Sequence, residues 1–319
     1  MTPDIAISII NYRTADLTIA AVRSALDALE DMPGRILVVD NASGDGSDEQ
    51  INDWITATAD PRVCLIRSPV NSGFSGGHNQ SIAAAPEADF YLILNSDAAL
   101  RPGFFSPLLD AAAAHPEVGL LAPQLEWEDG KPQVSCFRFA SPISELERSA
   151  MSGPVTRLFR RHMTSLELPV NSIEIEWMSF ACILLRGEMV RQIGPMDEGY
   201  FLYFEDAEYS LRARRAGWGV RYVPRARAVH HRGGSSPVKT MRGNKGRIPI
   251  YFWRSRTRFL RQAHGPLGPL MANLAWIVGR AIGWSRLLVG RRVPQANAQE
   301  WRDIWVGFLT PLKPDRAPE

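Results

Sequence analysis

Cysteine is scarce in this sequence of 319 residues, which contains three. Cys64, Cys136 and Cys182 lie far apart inside apolar runs, without the close spacing that zinc ligands show. An odd number at such separations argues against a disulfide framework and against a zinc site. We therefore expect three buried thiols in a reducing compartment.

Acidic residues are missing from one long part of the chain. Residues 209–299 contain 19 Lys+Arg and no Asp or Glu, whereas residues 1–208 contain 14 Lys+Arg and 30 Asp+Glu. The formal net charge of +2 hides this asymmetry. A long basic segment predicts an anionic partner, and nucleic acid, anionic lipid and a pyrophosphate ligand all fit. The alternative is a basic face that balances the acidic part.

A hydrophobic run long enough to cross a bilayer is also lacking. The most apolar stretch, PLGPLMANLAWIVGRAIGWSRLLVGRR, is interrupted by Arg280 and Arg286, whereas a spanning helix needs about 20 mainly apolar residues. We expect no signal peptide, because a basic start and a long apolar core are absent. The stretch predicts an amphipathic segment in the membrane interface, with Trp276 and Trp284 on one side and arginines on the other. The alternative is a helical hairpin that caps the domain.

Short apolar runs alternate with helical patterns in the first part of the chain. The strand candidates are Ile5–Ile10, Arg35–Asp40, Val63–Ser68 and Phe90–Asn95. Strands that alternate with helices predict βαβ units, and hence an α/β fold with a Rossmann-like mixed, mostly parallel sheet flanked by helices. In such sheets, ligands bind at the carboxyl ends of the strands.

The middle of the chain is less regular. Val118–Trp127 and Lys131–Phe139 have strand-like patterns, and Ile173–Arg186 reads as two strand segments that meet near Met178. The pattern over residues 144–166 predicts a helix and a mobile linker. Residues 205–216 predict a further helix.

Polar side chains follow three of the predicted strands. Asn11 follows the first strand, and VVDNASGDGS ends the second strand in Asp40 and Asn41. An acid at such a position can accept hydrogen bonds from a nucleobase N–H or a ribose hydroxyl. LILNSDAAL places Asp97 directly after an apolar strand, where an acid can hold a divalent metal that bridges phosphate oxygens. Each motif alone is also explained by a turn or a helix N-cap.

The segment NSGFSGGHN concentrates glycine and asparagine before a predicted helix. Glycine lets the backbone approach a ligand closely, and the amides at a helix N-terminus favour anionic groups. The segment matches neither a Walker loop nor a dinucleotide fingerprint. A plain loop is the alternative.

A cluster of acids follows an aromatic stretch in FLYFEDAEYSLRAR, which runs from Phe201 to Arg214. Glu205, Asp206 and Glu208 carry like charges, which raise one another's pKa. Glu208 lies four residues before Arg212 on the predicted helix, so these two side chains can pair. A helix N-terminus with favourable acids is the alternative reading.

Taken in order, these segments resemble the inverting family 2 glycosyltransferases, which have the GT-A fold. The similarity is greatest to their bacterial rhamnosyltransferase-like branch and covers roughly residues 5–236. The segments that carry it are VDNAS, NSGFSGGHN, LNSD, WMSFA, GPMDEGYFLYFED, AGWGVRYVP and HHRGGSS.

The resemblance implies transfer of a sugar from a nucleoside-diphosphate sugar to a glycan or a polyprenyl-diphosphate-linked acceptor in cell-surface polysaccharide synthesis. Rhamnose is the first expectation for the sugar, with UDP- and GDP-sugars left open. Asp206 would act as the general base. Asp97 and His230 would hold Mg²⁺ or Mn²⁺, and His231 is the less favoured alternative to His230.

The same resemblance assigns binding residues. Those expected to bind the nucleotide sugar are Asn11, Asp40, Asn41, Asn71, Gly73, Gly77, Asn79, Asn95, Ser96 and Arg232. Those expected to bind the acceptor are Trp177, Phe180, Asp197, Tyr203 and Glu205.

Three departures from the branch pattern stand out. The metal motif is Asn-Ser-Asp at 95–97 and lacks a second aspartate. Phe180 stands where the branch usually has glycine, and Pro195-Met196 replaces the usual Gly-Phe before Asp197. The last two concern acceptor identity and leave the reaction type unchanged.

The expected organisation is a GT-A domain over residues 1–238 and a basic, amphipathic helical region over residues 239–319. The nucleotide-binding half would span about 1–130 and the acceptor half about 131–238. The expected location is cytoplasmic and peripheral, at the inner face of the cell membrane, in contact with anionic lipid and without nucleic acid. A subunit that binds nucleotide sugars without turnover, a nucleic-acid-binding protein and a nucleotidyltransferase are the alternatives.

Overall fold

An eight-stranded sheet with helices on both faces forms the body of the protein. The computed structural model describes residues 3–168, 170, 174–231, 241, 243–290, 292–293 and 295–315. The strands of this sheet are β1 (Ile5–Asn11), β2 (Gly34–Asp40), β3 (Val63–Arg67), β4 (Phe90–Asn95), β5 (Ala98–Leu100), β6 (Val118–Glu126), β9 (Cys182–Arg186) and β10 (Gly219–His230). A separate pair consists of β7 (Cys136–Phe137) and β8 (Trp177–Met178).

Helices connect most of these strands. They are α1 (Ala15–Leu29), α2 (Ser47–Thr58), α3 (Gly73–Ala84), α4 (Phe105–Ala114), α5 (Pro142–Ala150), α6 (Gly153–Leu158), α7 (Gly187–Ile193), α8 (Glu205–Arg215), α9 (Ile250–His264), α10 (Gly268–Trp284) and α11 (Glu300–Asp303). Two short 3₁₀ helices, Arg160–His162 and Ser285–Val289, complete the described elements.

The sheet has the order β3-β2-β1-β4-β9-β6-β10-β5. β3, β2, β1 and β4 are mutually parallel, and β10 is parallel to β6. β9 is antiparallel to both of its neighbours, and β5 is antiparallel to β10. The predicted mixed, mostly parallel α/β sheet is therefore confirmed.

Alternating side chains of the strands build a core on each face of the sheet. Ile5, Ile7 and Ile9 of β1 pack beneath α1 and its neighbours, whereas Ala6 belongs to the core on the other face. The second core includes residues from β7, β8, α7 and α8. This period of two is the pattern of a strand that is covered on both sides.

The strand boundaries in the first part of the chain agree with the sequence expectation, whereas the middle differs. The predicted strand Lys131–Phe139 is reduced to Cys136–Phe137. Before it, the Gln133 side chain donates hydrogen bonds to the backbone oxygens of Glu126 and His230. The expected helix and linker over residues 144–166 are two helices followed by a 3₁₀ turn.

The expectation of three buried thiols is wrong for one of them. Cys136 and Cys182 are buried, but Cys64 is exposed. Cys64 lies on β3, which is the edge strand at one end of the sheet. An apolar run on an edge strand can therefore leave individual side chains in solvent.

The helices after residue 249 pack against the body of the protein. α10 lies along α5, and α9 contacts both α10 and α8. Trp276 is 5% exposed and donates to Glu300 at 3.0 Å, whereas Trp284 is 59% exposed. The expectation that both tryptophans share one membrane-facing side is therefore wrong. No described helix combines the length and the apolarity that crossing a bilayer requires.

Candidate active site

The carboxyl ends of β1, β2 and β4 meet at one edge of the sheet. The register places Asn11 beside Asp40 and Ile10 beside Asn95. The Asn11 side chain is fully buried and donates to Asp40 Oδ1 at 2.7 Å. It also accepts from the hydroxyl of Thr18 at 2.9 Å. Asn11 thus holds the Asp40 carboxylate in position, and its expected contact with the nucleotide sugar stays a prediction.

The side chain of Asn41 organises the loop before α3. Its Nδ2 donates to Asn71 Oδ1 and to the Gly73 carbonyl, each at 3.0 Å. Its Oδ1 accepts from the backbone N–H of Ser72 at 3.0 Å. The two asparagines therefore fix the shape of this loop beside Asp40.

Two glycines of α3 are required by close packing. Gly73 has φ +70°, and a Cβ there would lie 2.2 Å from the carbonyl oxygen of Phe201. A Cβ on Gly77 would lie 2.6 Å from Ile10 of β1. The two glycines let α3 approach the strand ends and the aromatic segment before α8.

Asn79 ties α3 to the loop before Asp197. Its Nδ2 donates to the Met196 carbonyl at 3.0 Å and to Glu198 Oε1 at 2.8 Å. Its Oδ1 accepts from the Met196 N–H at 2.9 Å. These bonds occupy the amide of Asn79 and connect the expected nucleotide loop to the expected acceptor loop.

The end of β10 brings His230 to Asp97. β10 runs antiparallel to β5, with His230 opposite Ala98. His230 Nε2 lies 3.3 Å from Asp97 Oδ1, and both residues are 7% exposed. His231 turns away and lies 3.1 Å from Glu128. His230 is therefore the histidine that faces the aspartate, as the sequence favoured.

The chemistry of this pair fits a divalent cation. A carboxylate and an imidazole at this separation resemble adjacent ligands of an octahedral ion, which lie ~3 Å apart. The described residues contain no group of three or more His, Cys, Asp and Glu side chains that could hold a metal.

Ser96 stands beside the pair in the chain, and its hydroxyl lies 3.2 Å from that of Thr14. Arg232 lies outside the described residues.

Asp206 stands in the first turn of α8, after two residues with left-handed backbone. Tyr203 and Phe204 have φ of 72° and 70°. Burial raises the pKa of Asp206 to about 7, although the backbone amides of Ala207 and Phe180 donate to its carboxylate and oppose the shift. The residue is half-buried and keeps part of its surface in solvent. A carboxyl with such a pKa is suited to accept a proton near neutral pH.

Glu205 differs from its neighbour. It is 6% exposed, and burial together with the charge of Asp206 raises its pKa well above the ordinary value. Its Oε2 has no hydrogen-bond partner among the described residues. Burial therefore disfavours the charged form of Glu205, whereas the backbone hydrogen bonds that Asp206 accepts favour its charged form.

The turn between β8 and β9 joins the metal segment to Asp206. The N–H of Asn95 donates to the Ala181 carbonyl at 2.9 Å, and the N–H of Phe180 donates to Asp206. The Phe180 ring is 2% exposed and packs edge-on against Tyr209, with ring centroids 6.1 Å apart. The ring is thus part of the core, and the expected role of Phe180 in acceptor binding stays a prediction.

Aromatic residues lie on β8, which contacts α8, and in the segment directly before α8. Trp177 stacks on Phe137 at 4.3 Å, and its Nε1 donates to the Arg138 carbonyl. Tyr203 lies parallel to Tyr251 of α9, with ring centroids 6.4 Å apart and planes inclined by 2°. α9 thus contributes an aromatic ring beside the acidic pair.

Asp197 is held by α9. Its carboxylate accepts from Arg258 at 2.8 Å and from Gln262 at 2.9 Å, and the Gly199 N–H donates to it at 2.8 Å. Although burial raises the pKa of Asp197, these hydrogen bonds bring it below the ordinary value. Sequence reasoning missed Arg258 and Gln262, since no local pattern links them to a residue more than sixty positions earlier.

The predicted pairing of Glu208 with Arg212 is confirmed, with Arg212 Nε 3.1 Å from Glu208 Oε1.

Comparison with known sequences identifies relatives of this chain. The sequence model of the family described as Glycosyl transferase family 2 matches residues 5–161. The chain is similar to N-acetylglucosaminyl-diphospho-decaprenol L-rhamnosyltransferase of Mycobacterium tuberculosis, with 29% identity over 229 residues, 67% of this chain and 71% of that protein. It is also similar to rhamnosyltransferase WbbL of Escherichia coli, with 26% identity over 171 residues, 51% of this chain and 63% of that protein.

Comparison with solved structures supports the fold. The mannosyltransferase PcManGT from Pyrobaculum calidifontis, solved with GDP-Man and Mn²⁺, aligns with a TM-score of 0.57 at 14% identity. The alignment covers 92% of this chain and 77% of that one. At this identity the likeness concerns the fold alone, and it confirms the predicted GT-A fold. From the matched family and its rhamnosyltransferase relatives, we conclude that the chain is a glycosyltransferase that belongs to glycosyl transferase family 2, in its rhamnosyltransferase-like branch.

Proposed function

We propose that the protein transfers a sugar, with inversion, from a nucleoside-diphosphate sugar to a polyprenyl-diphosphate-linked acceptor in cell-surface polysaccharide synthesis. The name of the M. tuberculosis relative supports this proposal, because it specifies a rhamnosyl transfer and an N-acetylglucosaminyl-diphospho-decaprenol. Rhamnose, carried by deoxythymidine diphosphate, is accordingly the first sugar to test.

The placement of Asp206 carries the proposal. A half-buried carboxyl with a pKa of about 7 lies across the Phe180–Ala181 turn from the segment that holds Asp97. In a single displacement, the acceptor oxygen bonds to the anomeric carbon while the bond from that carbon to the diphosphate oxygen breaks. Asp206 would accept the hydroxyl proton as the acceptor attacks. Tyr203 and Trp177 would contact the acceptor sugar.

Asp97 and His230 are the residues that would hold a divalent cation. A Mg²⁺ or Mn²⁺ ion bound there would offset the negative charge that develops on the leaving diphosphate. The presence of Mn²⁺ with GDP-Man in the mannosyltransferase complex supports a metal in this fold. Asp40, braced by Asn11, would accept hydrogen bonds from the nucleoside, and the loop shaped by Asn41 and Asn71 would lie against it.

We further propose a peripheral location at the inner face of the cell membrane. A polyprenyl-linked acceptor has its diphosphate at the membrane surface, so an enzyme that uses it works there. The basic segment from residue 209 to residue 299 is consistent with anionic headgroups as neighbours.

The test is release of nucleoside diphosphate from a panel of nucleotide sugars, with Mg²⁺ or Mn²⁺ and then with EDTA, in the presence or absence of a diphosphate-linked sugar acceptor. We expect one donor to give metal-dependent release that the acceptor stimulates. Asp206→Asn should lower turnover about 10²–10⁴-fold. It should leave nucleotide binding intact. Asp110→Asn, at an exposed aspartate of α4, is the matched control.

Two outcomes would contradict the proposal. If Asp206→Asn has unchanged turnover, Asp206 is not the general base. Tight nucleotide binding without release from any donor, with the acceptor present, would favour a subunit that binds nucleotide sugars without turnover.

A further inference from the structure

Helix α10 has its apolar side chains on the outside. Its outer face consists of Met271, Leu274, Ile277, Val278, Ala281 and Trp284, all of which are exposed. The five large members are between 45% and 59% exposed. Residues 268–284 are all described, and their one charged side chain is Arg280, which is 8% exposed. The outer face of α10 therefore carries no charge.

The inner face of α10 holds the polar groups. Asn273 is fully buried, accepts from Arg256 at 2.9 Å and donates to the Ile304 carbonyl at 3.0 Å. Arg280 donates to the Ser149 carbonyl of α5 at 3.4 Å. An ordinary surface helix buries its apolar side and exposes its polar side. α10 does the reverse, so its outward apolar face is not explained by the packing of the fold.

Close packing on α5 fixes this orientation. A Cβ on Gly279 would lie 2.0 Å from Ser149 Oγ, and a Cβ on Gly283 would lie 3.1 Å from the Ala150 carbonyl oxygen. The hydroxyl of Ser149 donates to the Trp276 carbonyl at 2.9 Å. The small residues of α10 must therefore face α5, which leaves the large apolar residues outside.

Exposed arginines lie on the two short elements that follow α5 and contact it, and α5 itself packs along α10. Arg286 donates to the Met151 carbonyl at 3.1 Å, which places the end of α5 beside the end of α10. Arg157, Arg160 and Arg161 follow on α6 and the 3₁₀ turn, and all three are exposed. Within the described ranges, none of these three arginines has a carboxylate within 4.0 Å. These three arginines, which we call the rim, add positive charge to the elements that pack on α5, the helix beside α10.

We infer that the outer face of α10 docks on an anionic lipid surface. Its apolar side chains would enter the interface between headgroups and acyl chains, and the arginines of the rim would lie among the anionic headgroups. The charge of the rim selects this occupant over a second copy of the chain, because two copies would bring like-charged arginines together. The inference rests on the proposed function in that a lipid-linked acceptor requires the enzyme at such a surface.

The test is co-sedimentation of the full chain with vesicles that lack any acceptor. We expect binding to phosphatidylglycerol vesicles that is at least about tenfold stronger than binding to phosphatidylcholine vesicles and that weakens with added salt. Leu274→Gln with Val278→Gln should lower the partition coefficient about tenfold. Val70→Gln, at an apolar side chain that is 62% exposed on another part of the surface, should leave vesicle binding unchanged.

The arginine rim is tested in the same assay. Arg160→Gln with Arg161→Gln should weaken binding to phosphatidylglycerol vesicles, whereas Arg23→Gln with Arg35→Gln removes the same charge elsewhere and should not. All four α10 and rim positions are exposed, so melting temperatures should stay close to that of the unchanged protein.

Three results would overturn the inference. They are equal binding of the Leu274/Val278 variant and the unchanged protein, equal binding to the two lipids, and a dimer in sedimentation that the same variant converts to monomer without loss of vesicle binding. Transfer to a short-chain acceptor analogue without vesicles separates this inference from the proposed function. If the Leu274/Val278 variant still transfers sugar to the analogue but no longer binds vesicles, the docking inference and the proposed function are both supported. If the unchanged protein binds vesicles but transfers no sugar, only the proposed function is rejected.

Discussion

Asp206 and Glu205 are adjacent carboxyls that occupy different environments. Glu205 is enclosed, and burial disfavours its charged form, whereas Asp206 is half-buried and accepts backbone hydrogen bonds that favour its charged form. Two titratable groups whose surroundings separate their pKa values are a common basis for assigning an acid and a base. The pair therefore makes a prediction about pH.

We predict that kcat/KM rises with pH through about 7. A general base works when deprotonated, and burial raises the pKa of Asp206 to about 7, so activity should fall about tenfold per pH unit below that value. The measurement is kcat/KM across the range from about pH 5 to 9. A profile that is already level at pH 5 would show that the base has an ordinary carboxyl pKa.

His230 and His231 are neighbours in the chain with different partners. His230 faces Asp97, and His231 faces Glu128 at the surface. We predict that His230→Asn raises the Mn²⁺ concentration needed for half-maximal activity by about tenfold or more. His231→Asn is the matched control and should leave it unchanged. Equal effects of the two variants would show that the imidazole of His230 is not a ligand.

The segment that leads into α8 is held between two helices. From one side, the Phe74 N–H of α3 donates to the Phe201 carbonyl at 2.9 Å. From the other side, Arg258 of α9 binds Asp197, and the hydroxyl of Ser255 donates to the Leu202 carbonyl at 3.1 Å. Asp206, the proposed base, therefore follows a segment that α3 and α9 hold together.

We predict that Arg258→Ala lowers kcat about tenfold or more, because it releases Asp197 and with it the segment that positions Asp206. The KM for the nucleotide sugar should change by less than about threefold, since the strand ends are not touched. Arg261→Ala, on the same helix, is the control. A rise in that KM without a change in kcat would place the effect on donor binding instead.

Sequence patterns predict some of these elements and miss others for identifiable reasons. The strands that end at Asp40 and Asn95 are continuous apolar runs bounded by polar residues, so their limits can be read from the chain. The face that α10 buries cannot be read in this way, because apolar residues occur on both of its sides and α5 decides between them. The partners of Asp197 are equally invisible, because they come from a distant helix.

The C-terminal helices complete the interior of the whole molecule. Burial raises the pKa of Glu145 on α5, but the charges of Arg148 and Arg256 lower it to about 2. Arg256 belongs to α9 and is 2% exposed. A buried carboxylate without its cation is strongly unfavourable. The proposed boundary near residue 238 therefore separates segments that depend on each other in the folded protein.

We predict that residues 1–238 alone do not form a cooperatively melting, active protein. Removal of residues 239–319 takes Arg256 from Glu145, Arg258 from Asp197 and the cover of α10 from α5. The measurement is a thermal melt with nucleoside diphosphate release, beside the full chain. A truncated protein with the melting temperature and turnover of the full chain would contradict this prediction.

The exposure of Cys64 has a practical consequence for spectroscopy. Burial raises the pKa of the Cys136 thiol to about 11, and it raises that of Cys182 further. Only a thiolate reacts readily with maleimides, so a fluorophore should attach at Cys64 on β3 in the unaltered sequence. If the protein binds vesicles, energy transfer from that dye to labelled lipid would report how far the edge of the sheet stands from the bilayer.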